Sequence, residues 1–455
     1  MKSIISIIAA ACSAAAFAAG ELDDAQLIGT TDKERAIDYE AGETMTFTLA
    51  LKRANPFPAG TYFIKWTRTG DDGLKDEGKV ELSAEKPLVV KTSIAKPGFV
   101  RLLAVVVDAA GKPYRKQLHV DPNTPEGKRA LNRWERADKR VFFDGGAAVH
   151  PETLQSVPEP ADFDEFWARR RARLAKVPLK ADVLELKGRK SGFRTCAVSI
   201  MCAGPRPSTG YLSIPEGKGR LPIRVFFHGY GHTYPNKGHV VAPVYNNDAI
   251  CFNFSPHGYE LEREPEYYDE FFRSICSGGR TFGFDDKQNE DPENSYFSGY
   301  TYRIMRALEW LKTLPEWDGR NLCVSGGSMG GLQSTWAAGL DKDVTEARPS
   351  IPWCCDIGGR DTLKRIIDPW YIHEKPALRY YDPVNLAKRV SRNCKFTIVR
   401  AGLGDYCCPP SGVAILFNNL KCDKTVNWVQ GSTHGHVPPE GLGNQRFTLH
   451  EDALR

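Results

Sequence analysis

Cysteine is nearly absent from the first 195 residues of this 455-residue chain: Cys12 stands alone there, and the other eleven fall at positions 196–422. The N-terminal third therefore cannot be a small disulfide-stapled module. The adjacent pairs Cys354-Cys355 and Cys407-Cys408 have no histidines or further cysteines at zinc-site spacing, so they read as buried thiols or one or two bridges, not as a metal centre. A large charge of one sign is also missing. The formal net charge is +5 and is spread along the chain, which excludes a nucleic-acid binder. The one basic run, Arg169-Arg170-Arg171-Ala172-Arg173, follows Asp162-Phe163-Asp164-Glu165 and reads as the solvated face of a helix with acids at its start. Beyond the first twenty residues no stretch approaches the roughly 20 apolar residues of a membrane helix. Those first residues read as a signal peptide over 1–18: Lys2 supplies the charge, residues 4–11 the apolar core and Ala16-Phe17-Ala18 the cleavage site. The mature chain is then expected to be secreted or periplasmic. A lipoprotein anchored through Cys12 is the lesser alternative, because Ala9-Ala10-Ala11 is a poor lipobox.

What is present divides in two. Residues 21–121 carry short alternating runs at 44–49, 62–67, 79–83, 88–94, 99–108 and 115–120, separated by Gly, Asp, Lys-Pro and Ala-Gly turns. About seven strands in about 100 residues suggest an all-β immunoglobulin-like sandwich lacking the cysteine pair of antibody domains. No catalytic cluster is visible in it, which leaves a spacer, an interface or an accessory binding module. A proline-punctuated linker covers 122–157. From 158 to 455 the pattern changes to apolar strands (223–228, 249–254, 322–325, 396–401, 426–430) alternating with helices (300–314, 329–340, 384–390, 411–420). Such alternation predicts a mostly parallel sheet covered on both faces, with chemistry at the C-terminal strand ends.

The most informative motif is Gly326-Gly327-Ser328-Met329-Gly330-Gly331, directly after the apolar run ending at Ser325. A GxSxG elbow holds its serine on a strained strand-to-helix turn whose glycines leave room for close backbone approach. Ser328 is the candidate nucleophile. A serine needs a base, and the base a carboxylate that fixes its tautomer. In α/β-hydrolases the order is Ser, acid, His. Asp405 follows the strand at 396–401 and His434 the strand at 426–430, with Asp356, Asp361, Asp382 and His436 as competitors. His228, His232, His239 and His257 precede the serine and read as structural or substrate-facing. Phe227-His228-Gly229-Tyr230-Gly231 follows a strand where an oxyanion loop would lie, so the backbone N–H groups of Tyr230 and Met329 are the candidate oxyanion donors. The segment 259–295, rich in Glu, Asp and aromatics, reads either as a cover over the site or as a solvated acidic loop.

From about residue 158 onward the chain resembles the acetyl xylan esterases, a family that includes cephalosporin-C deacetylases. The resemblance rests on Pro160-Ala161-Asp162-Phe163-Asp164-Glu165-Phe166-Trp167, His228-Gly229-Tyr230-Gly231, the Gly326–Gly331 elbow, and Gly402-Leu403-Gly404-Asp405 with Cys408-Pro409-Pro410-Ser411. It implies an α/β-hydrolase fold, the triad Ser328, Asp405 and His434, oxyanion donors at Tyr230 and Met329, and removal of acetyl groups from sugars with no metal or cofactor. It also implies a homo-oligomer, a compact hexamer in that family, which an appended sandwich would have to accommodate. This chain departs where the family has RGQ (here Ser255-Pro256-His257-Gly258), GxSQGG (here Met329) and HE (here His434-Gly435). The expected function is thus a serine carbohydrate esterase acting on O-acetylated poly- or oligosaccharides. The alternatives are a prolyl-oligopeptidase-like peptidase, for which 100 N-terminal residues cannot supply a propeller, and a non-catalytic carbohydrate-binding protein.

Overall fold

The computed structural model describes residues 20–231 and 240–453; the expected signal peptide, Cys12, His232 and His239 lie outside the described residues. Among the described residues, seven strands make the N-terminal part: β1 (Gln26–Thr31), β2 (Met45–Lys52), β3 (Tyr62–Gly70), β4 (Lys75–Glu81), β5 (Leu88–Thr92), β6 (Gly98–Asp108) and β7 (Phe142–Val149). They form two antiparallel sheets, β1-β2-β5 and β4-β3-β6-β7. The burial of β2 alternates strictly, Met45, Phe47, Leu49 and Leu51 inward, as a strand with one solvated face must.

Two elements differ from the expectation. The run at 115–120 forms no strand and contributes only a bridge from Arg115 to Arg140. The residues expected as linker hold helix α1 (Pro125–Arg136), capped by the Thr124 side chain accepting from Gly127 N–H, and the whole of β7. β7 was illegible for a physical reason. Its sequence FFDGGAAV has no alternation, because every residue of it is buried, one face on the sandwich and the other on the second domain.

That second domain begins with α2 (Phe163–Ala175) and contains a ten-stranded sheet. Its strands in chain order are β8 (Ala181–Glu185), β9 (Phe193–Ile200), β10 (Ser208–Pro215), β11 (Leu221–Phe227), β12 (Ile250–Ser255), β13 (Trp317–Gly327), β14 (Glu346–Ser350), β15 (Lys395–Gly402), β16 (Asp423–Val429) and β17 (Arg446–Glu451). The spatial order is β17-β16-β15-β14-β13-β11-β12-β10-β9-β8. Strands β11 to β16 pair in parallel, while β8, β9, β10 and β17 extend the edges antiparallel. Helices α3 (Pro265–Ser274), α4 (Tyr296–Leu311), α5 (Met329–Leu340), α6 (Pro383–Ala387) and α7 (Pro410–Asn419) complete it. Every residue of α5 is buried, which accounts for its apolar and small composition all round. The chain passes from β11 to β12 on one side and then to β13 on the other, so the order reverses at β11. In open α/β sheets the crevice at such a reversal is where ligands bind.

The basic run on α2 corrects its expected role. Arg169, Arg171 and Arg173 are exposed, but Arg170 is 1% exposed. Its guanidinium donates to Ser298 O at 2.7 Å and Ser298 Oγ at 2.9 Å and lies 3.8 Å from the Tyr302 ring centre, locking α2 onto α4. All eleven cysteines at 196–422 are free thiols, and among the described residues no helix is long and apolar enough to cross a membrane.

Candidate active site

β13 ends at Gly327 and α5 begins at Met329, so Ser328 is the single residue of the turn between them. Its φ of 58° and ψ of −120° are a conformation that a non-glycine residue holds only under strain from its surroundings. Close packing imposes it. A Cβ on Gly326 would meet Phe227 O at 2.5 Å, and one on Gly330 would meet the same oxygen at 2.3 Å. The two glycines thus let the elbow press on the end of β11, whose next residues are the candidate oxyanion loop. The elbow is further fixed by Ser328 N–H donating to Ser350 O at 3.0 Å and by Trp353 N–H donating to Ser328 O at 3.1 Å. As the first residue of α5, Met329 has an N–H with no intrahelical acceptor.

Three residues beyond β15, Asp405 is fully buried; five beyond β16 stands His434, its side chain 36% exposed. Asp405 Oδ2 lies 3.2 Å from His434 Nδ1, and Oδ1 accepts Cys408 N–H at 3.0 Å. The two loops are stitched together by Gly404 N–H to Ser432 O at 3.0 Å and Leu403 N–H to Val429 O at 3.1 Å. Among the competing acids, Asp356 is ion-paired with Arg365, and Asp361 accepts from Tyr371 Oη and Glu374 N–H. Asp382 caps α6 and also accepts the N–H groups of Asp356 and Ile357; burial, then the neighbouring Asp356, pushes its pKa up to about 7. His436 stands against the Phe142 ring, and burial lowers its pKa. The structure thus brings His434 to Asp405 and gives each competitor a structural partner.

Electrostatically the pair is not alone. Burial opposes charge on His434, but the hydrogen bond to Asp405 and the neighbouring Cys407 thiol outweigh it and raise its pKa, while Cys408 Sγ lies 3.6 Å from His434 Nδ1. Conversely a hydrogen bond from Cys408, with His434 beside it, holds the Cys407 thiol below its ordinary range. The Sγ atoms of Cys407 and Cys408 and a ring nitrogen of His434 lie within 4.8 Å of one another, a donor set that could hold a soft metal ion. The chain spacing gave no hint of this, because His434 reaches the cysteines across 26 residues. Asp423, His450 and Asp452 form a second such cluster on the exposed sheet edge.

The candidate oxyanion loop is supported by Gln333 and Asn253, which the sequence did not single out. Gln333, one turn into α5, donates through Nε2 to His228 O and Met329 O, both at 3.1 Å. His228 Nε2 meets Asn253 Oδ1 at 2.7 Å, and its burial lowers the pKa. Two of the sequence departures meet in space: His257 Nδ1 lies 3.0 Å from Tyr300 Oη, which reaches Met329 Sδ at 3.9 Å. In the 259–295 segment, Tyr259, Tyr268, Phe272, Phe282 and Phe284 are buried, and the Tyr230 ring stacks on Phe282 at 4.3 Å. It packs against Tyr230 of the candidate oxyanion loop as an aromatic support and not as a free acidic loop.

Residues 152–441 match the family model described as acetyl xylan esterase (AXE1), well over half of the chain. Among curated proteins, the acetyl esterase Axe7A of Xylanibacter ruminicola is 29% identical over 310 residues, spanning 63% of this chain and 68% of that protein. Two solved structures share the fold. The acetyl xylan esterase from Paenibacillus sp. R4 is 24% identical with a TM-score of 0.50, over 63% of this chain and 94% of that one. Acetyl xylan esterase 1 from Thermoanaerobacterium sp. is 21% identical with a TM-score of 0.51, over 64% and 93%.

Proposed function

This chain belongs to the acetyl xylan esterase family and is a carboxylic ester hydrolase acting on carbohydrate, and we propose that it removes O-acetyl groups from poly- or oligosaccharides through Ser328, His434 and Asp405. Ser328 Oγ attacks the acetyl carbonyl while His434 Nε2 accepts its proton. Asp405, accepting from His434 Nδ1–H, holds the reactive tautomer and stabilises the imidazolium. The N–H groups of Tyr230 and Met329 receive the oxyanion, each such donor being worth about 10² to 10³ in rate. Collapse of the tetrahedral adduct expels the sugar hydroxyl, which takes its proton from His434. Water then attacks the acyl carbon as His434 Nε2 takes its proton, and collapse breaks the bond to Ser328 Oγ, which recovers a proton from His434 as acetate leaves. The observation that carries this assignment is the 3.2 Å contact of His434 Nδ1 with Asp405 Oδ2, at strand ends on the edge where the elbow emerges. The Lys2, 4–11 and Ala16-Phe17-Ala18 leader supports action outside the cytoplasm.

The test is acetate release from acetylated xylan, acetylated xylo-oligosaccharides, acetylated pectin and p-nitrophenyl acetate, beside a Ser328→Ala variant. Activity on a glycan should fall by about 10³-fold or more in the variant, since the triad acts as a unit. A folded Ser328→Ala protein with undiminished turnover would overturn the assignment.

A further inference from the structure

Trp370 is 38% exposed, unusually so for so large an apolar side chain. It is not a stray surface residue. Its ring stacks on Trp353 at 5.3 Å and 20°, lies 4.9 Å from Phe284, and meets the Tyr230 ring edge-on at 5.0 Å. Trp353 is the residue whose N–H binds the Ser328 carbonyl, and Tyr230 belongs to the oxyanion loop. Two residues before the indole, Asp368 N–H donates to Tyr406 O at 2.9 Å, beside Asp405, and the Asp368 carboxylate is held by Arg101 at 2.9 Å. Trp370 is therefore triangulated from the nucleophile, the oxyanion loop and the acid loop, and stands at the rim between the last two.

We propose that Trp370 is the stacking platform for a pyranose ring of the acetylated substrate. The proposal rests on the carbohydrate esterase reading above. A pyranose presents a face of C–H groups and an edge of hydroxyls. An indole face carries negative charge density and is apolar, so it attracts the C–H face and leaves the hydroxyls to water. Trp353 and Phe284 fix the ring in place before substrate arrives, so little side-chain entropy is lost on binding. The acetyl carbonyl can then reach Ser328 while the sugar that bears it, or its neighbour in the chain, lies on the indole. A small ester such as p-nitrophenyl acetate has no sugar ring to place there.

The experiment compares the wild type, Trp370→Ala and Trp370→Phe on acetylated xylo-oligosaccharides and on p-nitrophenyl acetate. The ratio of kcat/KM for the oligosaccharide to that for the small ester should fall about tenfold in Trp370→Ala, mainly through KM, and recover in part with phenylalanine; large aromatic contacts at binding sites carry losses of that size. A ratio left unchanged, whether both activities hold or both fall together, would mean that the indole only props its neighbours, and the proposal would be wrong. Titration of xylo-oligosaccharide into the Ser328→Ala protein, with and without Trp370→Ala, separates this from the reading beneath it. Failure of the wild type to release acetate from any glycan removes the substrate assignment. The platform is overturned when the Ser328→Ala protein binds no xylo-oligosaccharide, or binds it equally well without the indole.

Discussion

In the proposed mechanism His434 must be neutral to take the proton of Ser328, yet its surroundings favour the charged ring. Burial alone would depress its pKa, but the bond to Asp405 and the neighbouring Cys407 thiol overcome that and raise it. In that mechanism Asp405 also orients the ring, whereas the Cys407 thiol bears only on its charge. Because the base works only when deprotonated, kcat/KM should climb as pH rises through the raised pKa. Cys407→Ser removes one stabilising neighbour of the imidazolium. The acid limb of the pH profile should therefore move to lower pH, with the alkaline plateau changed far less. A limb that stays in place, followed with p-nitrophenyl acetate, would show that Cys407 does not bear on the base.

Read element by element, the site is three strand ends and one helix start, and the strand ends were legible from residue types. β13, β15 and β16 are parallel strands whose apolar residues Leu322, Val324, Phe396, Ile398, Ala401, Val426 and Trp428 are buried, and each stops abruptly at Gly or polar residues. Ser328, Asp405 and His434 follow those stops. β14 was not legible: Glu346-Ala347-Arg348-Pro349-Ser350 is polar, and proline argues against a central strand. The strand exists because its pairing with β15 ends at Ala347, before Pro349 would have to donate. The antiparallel β8, β9 and β10 were also missed, since β8 is largely exposed and β10 wholly buried and neither shows a clean alternation. The elbow itself gives a test. Gly330→Ala would place a methyl 2.3 Å from a backbone oxygen that cannot rotate away. Overpacking of this kind costs about 1–3 kcal/mol. The expected result is a lower urea midpoint together with a loss of esterase activity greater than the stability loss explains. Full activity at wild-type stability would show that the elbow and β11 are less tightly apposed than drawn here.

Across the whole molecule, the sandwich is an interface and not a tethered spacer. β7 pairs with β6 on one side and meets the catalytic loops on the other: Gln430 donates to Gly146 O at 2.7 Å and accepts from Gly146 N–H at 2.9 Å. A Cβ on Gly404, next to Asp405, would lie 1.9 Å from Asp144 O, so the acid loop rests on β7 backbone. Arg101 joins Asp144 to Asp368, near Trp370, and Asn444 and Gln445 bind the backbone of β1. One hydrophobic cluster runs from Phe99 of the sandwich to Trp428 of β16 without a break. Gln430→Ala should strand a buried N–H and C=O of Gly146, at about 1–3 kcal/mol for each group left unsatisfied. Chemical denaturation should show that loss as a single cooperative transition at lower denaturant, with sandwich and esterase unfolding together. Two separated transitions would mean that the halves are independent.

By itself the sequence determined the class of both halves, the strand ends that bear Ser328, Asp405 and His434, and the family, because these depend on local periodicity and on residues fixed by short turns. Only the tertiary structure decided that β7 joins the halves, that Cys407 and Cys408 flank His434, that His257, Tyr300 and Met329 meet, and that Trp370 packs on Trp353 and Tyr230. Those relations link residues far apart in the chain, and nothing in the order of amino acids records them. They exist only because close packing around the buried strands leaves each side chain one set of neighbours.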